Sequence, residues 1–258
     1  MVSMTNSIEI NNIKIGEGIP KICVPLTGKS EEEILAQAEN IATKKPDLVE
    51  WRADFFDVVM DFGEVDRILQ SIAKIIAPIP IIFTFRTKKE GSTREISVVD
   101  YIWLNESVAK SKAVDLIDVE IFTCANKSSE LIKALHQQGK IVIASSHNFE
   151  QTPSEEDIID ILQKMESLEA DILKVAVMPN SSEDVQRLLG ATAKRSKLTN
   201  KPLITMAMAK LGASSRVCGE KYGPSVTFAS VGQASAPGQI EFDELKKLLQ
   251  KEHEKLKK

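Results

Sequence analysis

The chain has 258 residues, 43% of them hydrophobic and 27% charged, with a formal net charge of −4. That composition supports a packed core and excludes general disorder. The acidic balance argues against a nucleic-acid or anionic-membrane partner, and no apolar run is long enough to span a bilayer. Cys23, Cys124 and Cys218 lie far apart and form no CxxC pair, so a reducing, cytoplasmic setting without structural zinc is expected. Met1-Val2-Ser3-Met4-Thr5 has no basic-then-apolar signal pattern, which agrees.

Residues 8–16 alternate around Asn11-Asn12 and predict a β-hairpin over about 7–16, because asparagine tolerates the positive φ of a tight turn. A repeating pattern follows. Lys21–Leu26 reads as a strand, and Ser30 before three glutamates starts a helix that Lys44-Lys45-Pro46 stops. Residues 48–56 read as a second strand, 62–77 as a helix, and 79–86 as a third strand before the polar loop 87–93. A helix over 98–111, a strand over 114–122, a helix opening at Ser128 and a strand over 140–147 come next. Thr152-Pro153-Ser154-Glu155-Glu156 caps a helix. Residues 170–179 are the sixth strand, and Ser181-Ser182 begins a helix ending near Ser196. Strands over 202–208 and Val226–Ser230 complete eight, and an amphipathic helix over 242–257 closes the chain. Strand–helix alternation implies parallel strands with right-handed crossovers. Eight units without a linker predict one domain over 1–258, an α/β fold of the (β/α)8 barrel type with an N-terminal hairpin. An open doubly wound sheet is the alternative, weakened by the absence of GxGxxG after the first strand.

The sixth strand holds a lysine in an apolar run, where an unpaired ammonium is costly. Lys174 is therefore either ion-paired or a neutral amine able to attack a carbonyl. Residues i and i+2 share a strand face. Glu50 with Arg52, Thr84 with Arg86, Asp118 with Glu120, and Ser145 with His147 can thus face the barrel lumen. Trp51, Phe83 and Val175 can face the helices. A buried charge network seldom out-stabilises packed apolar residues, so a polar ligand accounts for these charges better. His147 ends the strand before that of Lys174, so both can reach one substrate. Glu90, in the loop after the third strand, can hold the His147 tautomer. Met206 and Met208 read as packing. Beyond strand seven, Arg216 suits a carboxylate, and Ser235-Ala236-Pro237-Gly238-Gln239, preceded by Ala234, has the character of a lid.

Glu50-Trp51-Arg52, Thr84-Phe85-Arg86, Ser146-His147-Asn148-Phe149, Lys174-Val175-Ala176-Val177-Met178-Pro179, Ser215-Arg216 with Gly219, and Ser235-Ala236-Pro237-Gly238-Gln239 together resemble type I 3-dehydroquinate dehydratase. The match runs along essentially the whole chain. The resemblance implies a barrel enzyme of the shikimate pathway, commonly dimeric, that needs no metal or other cofactor and acts on 3-dehydroquinate. Lys174 would form the imine, His147 would be the acid and base, and Glu90 would orient His147. Arg216 would hold the substrate carboxylate. Glu50, Arg52, Arg86, Ser235 and Gln239 would bind the hydroxyls and close over them. Asn148 and Pro224 depart from the family pattern, which often has an acid and a serine there. No Rossmann fingerprint suggests a fused dehydrogenase. The arginines near Lys174 are expected to favour its neutral form. Two rival readings stand beside this one: a class I aldolase, which would need a phosphate cradle, and a silent barrel that binds a small acid.

Overall fold

The computed structural model describes residues 7–232 and 235–257. Residues 1–6, which include the stretch read for a signal, and Ala234, which precedes the small-residue loop, lie outside them.

β1 (Ile8–Ile10) and β2 (Ile13–Ile15) pair antiparallel across Asn11 and Asn12, whose φ angles of 46° and 67° form the expected left-handed turn. The eight strands that follow are β3 (Lys21–Leu26), β4 (Leu48–Arg52), β5 (Ile81–Thr84), β6 (Leu116–Glu120), β7 (Ile141–Asn148), β8 (Ile172–Val177), β9 (Leu203–Ala207) and β10 (Val226–Ser230). Each pairs in parallel with the next from β3 to β9, and β10 pairs with β3. The ring closes between β9 and β10 through one bridge, Leu203 with Pro224. There the Ser225 N–H donates to the Leu203 carbonyl at 2.7 Å. β11 (Ile240–Glu241), not foreseen from sequence, adds in parallel to β10.

The helices are α1 (Glu31–Lys44), α2 (Phe62–Ile76), α3 (Val98–Ala109), α4 (Ser128–Gln137), α5 (Glu155–Ser167), α6 (Ser182–Arg195), α7 (Ala213–Val217), α8 (Gly219–Tyr222) and α9 (Phe242–Leu256). Ser30, Ser154 and Ser181 accept N–H bonds at the starts of α1, α5 and α6, satisfying donors the helices leave open. Ser128 sits just inside α4 and donates to the Ile121 carbonyl at 2.8 Å rather than capping. Among the described residues no helix is long and apolar enough to cross a membrane.

Several strands are shorter than their apolar runs. β4 ends at Arg52 because its partner β5 ends at Thr84 in the same register, and Ala53–Phe55 turns off as a 3-10 helix. β5 begins only after Pro80, which has no N–H for the ladder. Alternation then builds two cores. Trp51, Phe83 and Val175 join the layer under the helices, where Trp51 packs edge-on to Phe83 at 5.8 Å. Inside the barrel, Ile82, Ile143, Ile172 and Ile204 stack on Ile10 and Ile15 of the hairpin. The hairpin therefore plugs the N-terminal end of the barrel, and the polar lumen residues stand above an apolar floor.

Candidate active site

At the C-terminal end of the strands lies a cavity of about 290 Å³. All nine residues singled out above line it: Glu50, Arg52, Arg86, Glu90, His147, Lys174, Arg216, Ser235 and Gln239. Met206, Met208, Phe149 and Phe228 supply its apolar wall.

Lys174 is 3% exposed. Its Nζ donates to Asp118 Oδ2 at 2.9 Å and to Glu50 Oε1 at 3.3 Å, and sits 4.9 Å from the Phe228 ring centre. Burial opposes the ammonium, and Arg86 does too, but Asp118 and Glu50 outweigh both and hold the Lys174 pKa above its ordinary value. Arg86 thus acts in the expected direction, towards the neutral amine, but the two carboxylates beside Nζ decide the net sign. The arginines are themselves held by carboxylates. Arg86 donates to Asp118 at 2.9 Å, Glu120 at 3.0 Å, Ser145 at 3.1 Å and Glu90 at 3.4 Å. Arg52 holds Asp54 through two bonds of 2.8 and 2.9 Å. In the free protein Lys174 is ion-paired and also faces the cavity, so the two readings of a buried lysine coexist.

Asp118 and Glu120 were placed on the lumen face from sequence but given no role. Both are fully buried. Asp118 accepts from Lys174, from Arg86 and from Ser145 Oγ at 2.5 Å. Burial works against its charge, yet Arg86 and Lys174 prevail and hold its carboxyl well below the usual range. Glu120 accepts from Arg86, the Thr87 N–H at 2.8 Å, and the Thr87 and Thr123 hydroxyls at 2.6 Å. Asp54, missed entirely, accepts from Arg52, from Ser92 Oγ at 2.7 Å and from the Arg86 N–H at 3.2 Å. The signal for Asp118 was the one that marked Lys174, an ionisable residue in an apolar strand. Asp54 gave none, because it lies in the 3-10 turn.

His147 Nδ1 lies 2.8 Å from Glu90 Oε2. Burial, then Arg86 and Lys174, push the imidazole well below the histidine range, while burial and Glu120 push the Glu90 carboxyl up. The contact takes one proton. With Nδ1–H donating to Glu90, Nε2 keeps its lone pair and can act as a base. The loop carrying Glu90 is held by a close contact: Gly91 has a φ of 97°, and a Cβ there would lie 2.1 Å from the Phe149 ring. Asn148 at the end of β7 accepts the N–H groups of Glu150 and Gln151 at 3.0 and 2.9 Å.

Arg216 is 2% exposed. Its Nη2 donates to the Pro237 carbonyl at 3.3 Å, Nη1 is 3.9 Å from Met206 Sδ, and Nε has no partner. Among the described residues no carboxylate pairs with it, and burial pulls its pKa down to about 10. A buried cation without an anion, in a cavity wall, suits an anionic ligand. Ser235 and Gln239 bind each other: the Ser235 N–H donates to Gln239 Oε1, and Gln239 Nε2 donates to Ser235 Oγ, both at 2.9 Å. Among the described residues no group of three or more His, Cys, Asp or Glu could hold a metal ion.

The family model for type I 3-dehydroquinase matches residues 22–255. The 3-dehydroquinate dehydratase of Listeria monocytogenes serotype 4a (strain HCC23) is 44% identical over 244 residues, 95% of this chain and 97% of that one. The enzyme of that name from Clostridium botulinum (strain Eklund 17B / Type B) is 44% identical over 254 residues, covering 98% of this chain and 100% of its own length. The crystal structure of type I 3-dehydroquinate dehydratase from Clostridium difficile, with covalently modified comenic acid, matches with a TM-score of 0.94. It is 41% identical and covers 98% of this chain and 100% of that one.

Proposed function

This chain belongs to the type I 3-dehydroquinase family, and from that premise we propose which of its groups carry out the dehydration of 3-dehydroquinate to 3-dehydroshikimate. The family acts in the shikimate pathway, and a Schiff base is the mark of its type I mechanism. Lys174 condenses with the substrate ketone to give a protonated imine, which withdraws electrons and acidifies the adjacent carbon. His147 Nε2 takes that proton, with Nδ1–H held by Glu90. The electron pair moves through the enamine and expels the hydroxyl, to which His147 returns the proton, so that water leaves. Hydrolysis of the imine restores Lys174 and frees the enone. Arg216 binds the carboxylate. Glu50, Arg52, Arg86, Ser235 and Gln239 bind the hydroxyls and the closed loop, the last two by exchanging their mutual bonds for bonds to substrate.

One observation carries the reading: the lysine, the oriented imidazole and the Arg216 guanidinium, which has no carboxylate partner among the described residues, converge on a single 290 Å³ cavity. Its test is peptide mapping after borohydride is added to protein and 3-dehydroquinate. A reduced adduct on Lys174 is the expected result. No adduct, with no enone in an untreated control, would sink the assignment. We further infer one domain, a homodimer and a cytoplasmic setting. The unbroken parallel ladder, the exposed Trp103 and Val99 on α3 and the free, separate cysteines support these in turn. Sedimentation of the purified chain as a monomer would refute the dimer.

A further inference from the structure

We propose that Asp118 is the permanent counterion of the Lys174 nitrogen, pairing first with its ammonium and then with the iminium, and so a further catalytic residue of this site; the inference rests on the imine reading of Lys174.

Two carboxylates touch Nζ, and they are not equivalent. Asp118 approaches to 2.9 Å and Glu50 to 3.3 Å. Glu50 lines the cavity and Asp118 does not, so an entering substrate meets Glu50 and cannot reach Asp118. Among the described residues Glu50 has one side-chain donor besides Lys174, the Thr84 hydroxyl at 3.0 Å. Asp118 is fixed by Arg86 and by Ser145, whose position in β7 is paired with Lys174 in β8. Glu120 is committed to Arg86, Thr87 and Thr123 and is no substitute.

The chemistry makes such a group necessary. An ammonium and a ketone give an iminium and water: the C–N bond forms, the carbonyl oxygen leaves with two of the three ammonium hydrogens, and the third stays on nitrogen. The formal positive charge on nitrogen is the same before and after. The nitrogen is cationic as ammonium and as iminium, and neutral only in the attacking amine, the carbinolamine and the enamine, so both cationic forms need a buried anion beside them, since an uncompensated charge there is strongly unfavourable. A carboxylate that the substrate could displace or protonate would not serve. Asp118, outside the cavity lining and held by two donors other than Lys174, does. Lys174 must still lose a proton to free the lone pair that attacks, so its raised pKa slows that step, but the pair carries the same net charge as ammonium and as iminium. The charged and titratable groups facing Nζ are Asp118 from β6, Glu50 from β4, Arg86 beyond β5, His147 from β7 and Cys23 from β3.

The test uses the full chain as wild type, Asp118→Asn and Glu50→Gln. Without substrate, Lys174 is titrated by its rate of modification with a neutral acylating reagent, read by mass spectrometry across pH. Asp118→Asn should lower the pH of half-reactivity by about two units, and Glu50→Gln by less. Borohydride trapping with 3-dehydroquinate at neutral pH should fall about tenfold or more in Asp118→Asn. An unchanged titration in Asp118→Asn, or a larger change in Glu50→Gln, overturns the proposal. Should Asp118→Asn fail to fold, a crystal structure of the wild-type reduced adduct decides. Nζ bonded to Asp118, with Glu50 turned to substrate, supports the counterion. Nζ parted from Asp118 overturns it. If wild type gives no adduct on Lys174 at all, the imine reading itself falls, a result distinct from each of these.

Discussion

Replacing Arg216 by methionine should make the free protein more stable and the enzyme worse. The fall of the Arg216 pKa to about 10 by burial is a drop of about 2.5 from its ordinary value. At about 1.4 kcal/mol per unit it corresponds to about 3 kcal/mol against the charged form. The sign follows from linkage: at neutral pH both folded and unfolded chains hold the proton, so the whole cost is present, and it is relieved only as the pH rises through about 10. Methionine matches much of the apolar stem and removes the charge. It also loses the bond to the Pro237 carbonyl, worth about 1 kcal/mol. The net gain is about 2 kcal/mol, a Tm higher by about 4–8 °C for a chain of this size. The substrate carboxylate loses its partner in the same step. An uncompensated 3 kcal/mol is a KM about 100-fold higher, with kcat much less affected. Calorimetry of the substrate-free variant and initial rates of enone formation measure both. A variant less stable than wild type, or with a KM within a factor of about three of it, would refute the argument.

Because His147 is held well below the usual histidine value of 6.5, it is a neutral base at pH 7, and the acid limb of kcat/KM should fall below pH 6.5; a limb at higher pH counts against it. The same shift lowers stability as pH drops through 6.5, since the unfolded histidine takes a proton that the folded one resists. Gly91→Ala should destabilise by about 2 kcal/mol and lower kcat, because its Cβ would strike Phe149 and push Glu90 from His147. Adding Phe149→Ala should recover part of both losses, and no recovery would show that this contact is not the cause. Tyr101→Phe removes the hydroxyl that accepts the buried Glu120 N–H at 3.0 Å. Urea unfolding should report a loss of about 1–3 kcal/mol, and a loss well under that range would refute the role.

Where apolar runs and single ionisable residues coincided, the chain could be read directly. Lys174, His147 and Glu50 were legible because a strand has two faces, and a charge among valines and isoleucines must face something polar. The barrel itself followed from eight repeats of strand and helix. The strand ends did not, since they depend on where the neighbouring strand stops: residues 53–56 read as strand and turn away because β5 has ended. α7 and α8 span five and four residues, too few for a helical period to appear. The net protonation of Lys174 was left open for a different reason. A sequence displays which charges share a strand face, but not that Asp118 and Glu50 lie 2.9 and 3.3 Å from Nζ and outweigh Arg86. Pairing is a property of three dimensions, and it decided the sign.

The lumen isoleucines, with Ile10 and Ile15 of the hairpin packed under them, close the barrel below the site and make the cavity a dead-end chamber. Substrate, product and the water that is lost all share one mouth. Traffic through that mouth is serial, so the next 3-dehydroquinate waits until the last enone has gone, however fast the chemistry runs behind it.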